Sequence, residues 1–248
     1  METSAHDSIK LQKLLDHVNQ LDPVFSRLPF IYVQEGIKIA KQQELLDYEG
    51  ALYDKLASMY KELSAKDSSE MAHEEALRSY IEAENKMKVF QMHLELTNSY
   101  AYNDQADKSL EHGYKALELS EEMDYEEGIG MAYSYMAGTM HNFDESVKAV
   151  EFLYKTLEIF QKLDNPAMIA HTYSCLADFA PEPDEKSLEY INKAIDVINA
   201  HPEIYDSEMP RALFYRLNIY EKLENHSEID KNLILIDSLF AGKLSHSQ

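Results

Sequence analysis

Apolar residues recur along this chain at intervals of three and four, and the alternating Val, Ile and Thr runs that strands require are hard to find. Tyr53, Leu56 and Tyr60, at i, i+3 and i+7, share one helical face, with the small Ala57 beside Leu56. Forty residues on, the same places hold His93, Leu96, Thr97 and Tyr100. Tyr133, Met136, Ala137 and Met140 follow, then Tyr173, Leu176, Ala177 and Ala180, with a weakened copy at Leu213, Leu217 and Tyr220. A second set runs in parallel: Glu35-Gly36-Ile37-Lys38, Glu75-Ala76-Leu77-Arg78, Lys115-Ala116-Leu117-Glu118 and Lys155-Thr156-Leu157-Glu158. Lys193-Ala194-Ile195-Asp196 continues it after a two-residue shortening. Two independent patterns share one period, and each period reads as two helices.

The small residues explain how such helices pack. Ala57, Ala137 and Ala177 in the first helices, and Ala76, Ala116 and Ala194 in the second, let neighbouring helices approach where larger side chains would force them apart. Punctuation agrees. Asp22-Pro23 and Asn165-Pro166 read as an N-cap followed by proline in the first helical turn. Pro181 and Pro183 break the fifth pair between its helices, and His201-Pro202 separates it from the sixth. Pro29 belongs near the start of the first pair's second helix, or kinks it. Asp104, Asp144 and Asp184, forty apart, are expected near second-helix starts, where an acidic residue suits the dipole.

The segment Tyr53-x2-Leu56-Ala57-x2-Tyr60, with Ala76 twenty residues after Leu56, resembles the tetratricopeptide repeat, whose pattern reads W-x2-L-G-x2-Y…A-x3-F…P. The resemblance covers roughly residues 8 to 241. The departures are several: no Trp, no terminal Pro, a period of forty rather than thirty-four, and the A-x3-F element altered to Ser69-x3-His73, Ser109-x3-Gly113 and Ala149-x3-Leu153. The resemblance implies an all-α, right-handed α-solenoid of about six antiparallel helix pairs. The whole chain, 1–248, then forms a single domain with repeats near 8–45, 46–85, 86–125, 126–164, 165–203 and 204–241, and a frayed tail over 242–248.

Charge narrows the partners. The chain carries 45 acidic against 23 basic residues, a net −22, which disfavours direct binding of nucleic acid or an anionic membrane. No apolar run is long enough to span a bilayer, and Met1 to Lys10 has no signal-peptide core. A complete chain of this kind is expected in the cytoplasm. The alternative is an extracytoplasmic sensor region whose signal and membrane helix are absent from the sequence in hand. Cys175, the single cysteine, lies on a core face and reads as a small apolar residue.

The chemical candidates are weak. His73-Glu74-Glu75 begins like a zincin motif, but Leu77 stands where its second His belongs. His141 and His171 fall near the inner surface of adjacent repeats without an evident third metal ligand. The acidic run from Glu121 to Glu127 lacks the central Gly and closing Glu of a calcium loop. No cofactor is expected, and no catalytic residue is assigned.

In tetratricopeptide proteins the first helices line a concave groove. Transferring that geometry singles out Asp54, Ser58, Lys61, Gln91, Asn98, Tyr102, Met131 and Ser134, then His141, His171, Ser174, Asp178, Arg211, Phe214 and Asn218. Asn98 and Asn218 take the place where the family often carries a ligand-contacting Asn, whose amide can hold an extended peptide backbone. The family's chaperone-tail clamp needs Lys and Arg where this chain has Asp54, Leu94, Ser134 and Ser174, so that specialisation is not expected. The reading is therefore a non-catalytic module that binds a protein or peptide, similar to sensory or regulatory modules of bacterial signalling proteins or to adaptors. An enzyme-like regulator of the phosphatase type and a structural scaffold are the alternatives, and a homo-oligomer stays open.

Overall fold

The computed structural model describes residues 2–20, 26–180 and 185–244, without the side chains of residues 2–6 and 239–244. The fold is all-α. Among the described residues there are twelve α-helices, one short 3₁₀ turn and no strand. They are α1 (Glu2–Val18), α2 (Leu28–Gln42), α3 (Leu46–Glu62), α4 (Lys66–Glu82), α5 (Lys86–Tyr102) and α6 (Ala106–Glu122). There follow α7 (Glu126–Asn142), α8 (Ser146–Lys162), α9 (Pro166–Asp178), α10 (Glu185–Ala200), α11 (Tyr205–Lys222) and α12 (His226–Leu244), with the 3₁₀ turn Pro202–Ile204 ahead of α11. Contacts group the chain into two units, Met1–Met123 and Asp124–Gln248, each described by itself. Within each unit, helices pack on their neighbours in sequence, and connections of three residues oblige successive helices such as α3 and α4 to run antiparallel.

The turns are built alike. Glu44, Ser64, Glu84, Asp104, Asp124, Asp144, Asp164 and Glu224 all have φ between 51° and 59°, and none is glycine. At seven of them the full hydrogen-bond pattern of a Schellman motif is present. After α3, for instance, Ser64 N–H donates to the Lys61 carbonyl and Ala65 N–H to that of Tyr60. Asp104 and Asp144 stand two residues ahead of α6 and α8, near second-helix starts as expected, and they also close α5 and α7 in the left-handed conformation, which short acidic side chains tolerate better than most. Asn165 caps α9 through Met168 N–H at 3.1 Å, with Pro166 following as expected, and Pro29 lies in the first turn of α2. Asp22, Pro23, Pro181, Pro183 and Asp184 lie outside the described residues. The expected tail begins later than Gly242, because α12 continues to Leu244; residues 245–248 lie outside the description.

The small positions are where packing is tightest. Ala57, Ala76, Ala116, Ala137, Ala177 and Ala194 are all buried. Ser69 and Ser109, where the repeat pattern has Ala, do more than stay small. Their hydroxyls donate to the carbonyls of Ala57 at 2.9 Å and Thr97 at 2.7 Å, tying each second helix to its first. Glycine serves the same end at two places eighty residues, two periods, apart. A Cβ on Gly50 would stand 2.7 Å from the Tyr80 ring, and one on Gly130 would stand 2.8 Å from the Phe160 ring. The recurring lysines have a reason too. In the second unit Lys155 lies 4.8 Å over Tyr133, itself stacked with Phe152, and Lys193 lies 5.9 Å over Tyr173, stacked with Tyr190.

Candidate ligand-binding site

In the first unit, the C-terminal half of α3, the start of α4 and the second half of α5 enclose a cavity of about 280 Å³. Lys61, Asn98 and Tyr102, three residues expected on the inner face, line it together with His73, Glu95 and Asn103. The helix period brings them there: Glu95, Asn98 and Tyr102 stand at i, i+3 and i+7 on α5, one stripe of its surface. Lys66, also at the cavity, is engaged. Its ammonium donates to the Tyr102 carbonyl at 3.1 Å and lies 4.1 Å from the centre of the Tyr102 ring.

His73 occupies the place where the repeat pattern has Phe. It is 3% exposed, and burial, with the Lys61 charge adding to it, depresses its pKa to about 4, so the ring is neutral at pH 7. Its Nε2 stands 3.9 Å from Asp54 Oδ1, and its Nδ1 has no hydrogen-bond partner within the protein. Burial and then the charge of Glu95 raise the pKa of Asp54. Asn103 gives its amide N–H to Glu70 Oε2 at 2.8 Å, leaving its buried Oδ1 without a partner.

The second unit gathers another group of the expected residues. Arg211 Nη1 stands 2.9 Å from His171 Nδ1 and 3.1 Å from Glu208 Oε2. The guanidinium can only donate, so Nδ1 accepts and the proton of neutral His171 sits on Nε2, 3.6 Å from the Cys175 sulfur. Burial, and secondarily Arg211, hold the His171 pKa at about 4. With both ring nitrogens engaged, His171 is not presented as a metal ligand. His141 stacks on Phe179 with centroids 3.9 Å apart and planes 5° from parallel, next in sequence to Asp178, whose pKa burial raises. Cys175 is buried and its thiol is pushed up to about 12, in keeping with a packing role.

Several expected residues are placed otherwise. Ser174 is 3% exposed and donates to the Ala170 carbonyl at 3.0 Å, so it belongs to the core rather than to an open face. Ser58 is half-buried and bonds back to the Asp54 carbonyl. Leu94 is buried, so the four clamp positions compared in sequence do not form an exposed row. Gln91, Arg211 and Phe214 are exposed; Met131, Ser134 and Asn218 are half-buried. The sequence reading missed His73, Glu95 and Asn103. A histidine in a position otherwise apolar was the available signal for the first, and the i−3 relation to Asn98 for the second.

No family model matches the chain, and no curated protein matches it. Solved structures do. The STAND protein with a tetratricopeptide repeat sensor from Pyrococcus horikoshii superposes with a TM-score of 0.74 at 11% identity, over 97% of this chain but 38% of that one. A Rap protein complexed with Competence and Sporulation Factor gives 0.65 at 14% identity, over 96% of this chain and 77% of that one. Aspartyl phosphate phosphatase F from Bacillus subtilis gives 0.67 at 16% identity, over 94% and 61%. At such identities these likenesses establish architecture: the fold is that of tetratricopeptide-like repeat proteins. Among the described residues no helix is long and apolar enough to cross a membrane.

Proposed function

We propose that the chain is a non-catalytic regulatory module that binds a protein or peptide segment along the α3–α5 face of its first unit. One observation carries this reading: Lys61, Asn98 and Tyr102, all expected on the inner face, line one cavity together. Asn98 is exposed and Gln91 lies two turns before it on α5, so two amides stand free for the N–H and C=O groups of an extended backbone. Fold relatives fit a regulatory role, since one is described with a repeat sensor and another in complex with a factor. Charge elsewhere on the surface keeps such a module dispersed and does not compete for this mostly neutral stripe.

The test begins with phage-displayed random peptides selected on the full chain. A selected peptide is titrated against the natural protein, the double variant Lys61→Ala/Asn98→Ala, and the control Lys115→Ala, whose side chain pairs with Glu111 on α6. Each contact removed should cost about 0.5–1.5 kcal/mol, up to roughly tenfold in affinity. A peptide that loses affinity for the control and keeps it for the double variant would move the site to the other helices and end this proposal.

A further inference from the structure

Unlike charges stand toward the two ends of the α3–α5 face. Helices α3 and α5 are 17 residues each, begin forty residues apart at Leu46 and Lys86, and run parallel, since each is antiparallel to α4. The repeat register therefore gives the level of each side chain along them. Asp54, the ninth residue of α3, and Glu95, the tenth of α5, share nearly one level. Lys61, the sixteenth of α3, lies six to seven residues further on, about 9–10 Å at 1.5 Å per residue. Asn98, the thirteenth of α5, falls between the two levels.

These charges are not neutralised within the protein. Glu95 is half-buried and Lys61 exposed; both line the cavity of about 280 Å³, and neither has an ion-pair partner. Asp54 is partly exposed and meets only the neutral His73 ring, at 3.9 Å, while Lys55 and Lys88 act on it from further off. Burial raises the pKa of Asp54 and the Glu95 charge raises it further, so the two carboxylates lie within electrostatic reach of each other. Lys66, by contrast, is engaged by the Tyr102 carbonyl and ring.

This layout selects among segments that could lie on the face. A wholly basic one would meet Lys61, and a wholly acidic one would meet Asp54 and Glu95. A segment with one charge of each sign relieves the repulsion at one end and pairs the free ammonium at the other. Spacing narrows it further. In a polyproline II backbone, residues i and i+3 lie on one side, about 9 Å apart at 3.1 Å per residue, which matches the separation of the two levels. Among the described residues no three His, Cys, Asp or Glu side chains group as metal ligands, so the carboxylates are not a metal centre in waiting.

We propose that the segment bound on this face carries a basic and an acidic side chain three residues apart, the basic one at Asp54 and Glu95 and the acidic one at Lys61. The proposal rests on the peptide-binding reading above and specifies its partner: the backbone between the two charged residues crosses Asn98.

The experiment uses the full chain and two phage libraries of random peptides. In one, a lysine and a glutamate are fixed three positions apart in both orders; in the other, serine takes both places. Binders should come from the first library and not from the second. A selected peptide is then titrated in double-mutant cycles. Glu95→Gln, Lys61→Gln and alanine at either charged peptide position should each weaken binding three- to tenfold. Glu95→Gln should cost nothing more once the peptide lysine is alanine, and Lys61→Gln nothing more once the glutamate is, whereas the crossed pairs should multiply. Without any ligand, Glu95→Gln should lower the titration midpoint of the Asp54 carboxyl followed by NMR; an unmoved midpoint removes the anionic end and with it the proposal. Equal yield from the serine library, or matched pairs that multiply as the crossed pairs do, also overturns it. If Asn98→Ala weakens a peptide whose charges show no coupling, the groove stands and the charge pattern falls; no binder from either library ends both.

Discussion

Two glycines in one helix allow packing to be separated from helix propensity. Gly130 and Gly138 both lie in α7 with negative φ, so alanine suits the backbone at either place. In a helix interior alanine is favoured over glycine by about 0.8–1.0 kcal/mol. Around Gly138 a new Cβ meets nothing within 4 Å, so Gly138→Ala should be stabilising by most of that amount. At Gly130 the same atom would stand 2.8 and 3.0 Å from two carbons of the Phe160 ring and 3.1 Å from Ile159 Cγ2. Phe160 is wholly buried and has nowhere to retreat, so overpacking of about 1–3 kcal/mol opposes the propensity gain. The net effect of Gly130→Ala is a loss of about 0–2 kcal/mol, and the gap between the two variants is the overpacking itself. Urea melts followed by circular dichroism would measure both, and at this chain length 1 kcal/mol corresponds to about 2–4 °C in a thermal melt. Adding Phe160→Leu to Gly130→Ala should recover part of the loss, because a smaller side chain leaves room for the Cβ. If Gly130→Ala raises the midpoint as much as Gly138→Ala does, the close approach of α7 and α8 described here is wrong.

Two further outcomes follow from buried groups. His73, His93 and His171 have folded-state pKa values of about 4, below the 6.5 of a free imidazole, so the unfolded chain binds more protons between those values. Their contribution to stability is complete above pH 6.5 and falls as pH drops toward 4, by up to about 1.4 kcal/mol per pH unit for each histidine. Asp54 and Asp178, with raised pKa values, oppose this at the acid end of the window. Stability measured from pH 7.5 to 4.5 should show this slope, and His171→Gln should flatten it; an unchanged slope would mean His171 titrates freely in the folded protein. Cys175 should resist a thiol reagent such as dithionitrobenzoate at pH 8 and react at once in denaturant, and rapid native labelling would contradict its burial.

The fold was legible because its determinants are local and repeated. Tyr53, Leu56, Ala57 and Ala76 need only the helical period to declare a face and a close crossing, and their copies declare it again. The site was legible in part. Lys61, Asn98 and Tyr102 emerged from family geometry because they sit in the middle of an exposed stripe. Ser174 and Leu94 lie at its edge, where one helical step of rotation turns a surface residue into a core one. Leu94 carried its own warning, being apolar at a place assigned to a groove. His73 and Asn103 could not be read as pocket walls, since which side chains meet at the cavity depends on how α3, α4 and α5 orient them toward one another. The acidic residues at Asp104 and Asp144 were seen as charges, whereas their backbone conformation is what the turn requires.

The turn that recurs every twenty residues also fixes where this chain can change length. The six helices from α3 to α8 are each 17 residues long, and three residues join one to the next. One residue inserted inside a helix would rotate everything after it by about 100° before the next turn, carrying an alanine such as Ala137 off its crossing and a charged neighbour onto it. One residue inserted between helices leaves both faces aligned with their partners. The two-residue shortening of the fifth pair keeps the later crossing in register. It falls between Ala177 and Ala194, where α9 ends after 13 residues, and Ala194 is still as deeply buried as Ala116. Indels that survive in related sequences should therefore gather at the connections, and a helix that departs from 17 residues marks a place where the stack has been altered for some other purpose.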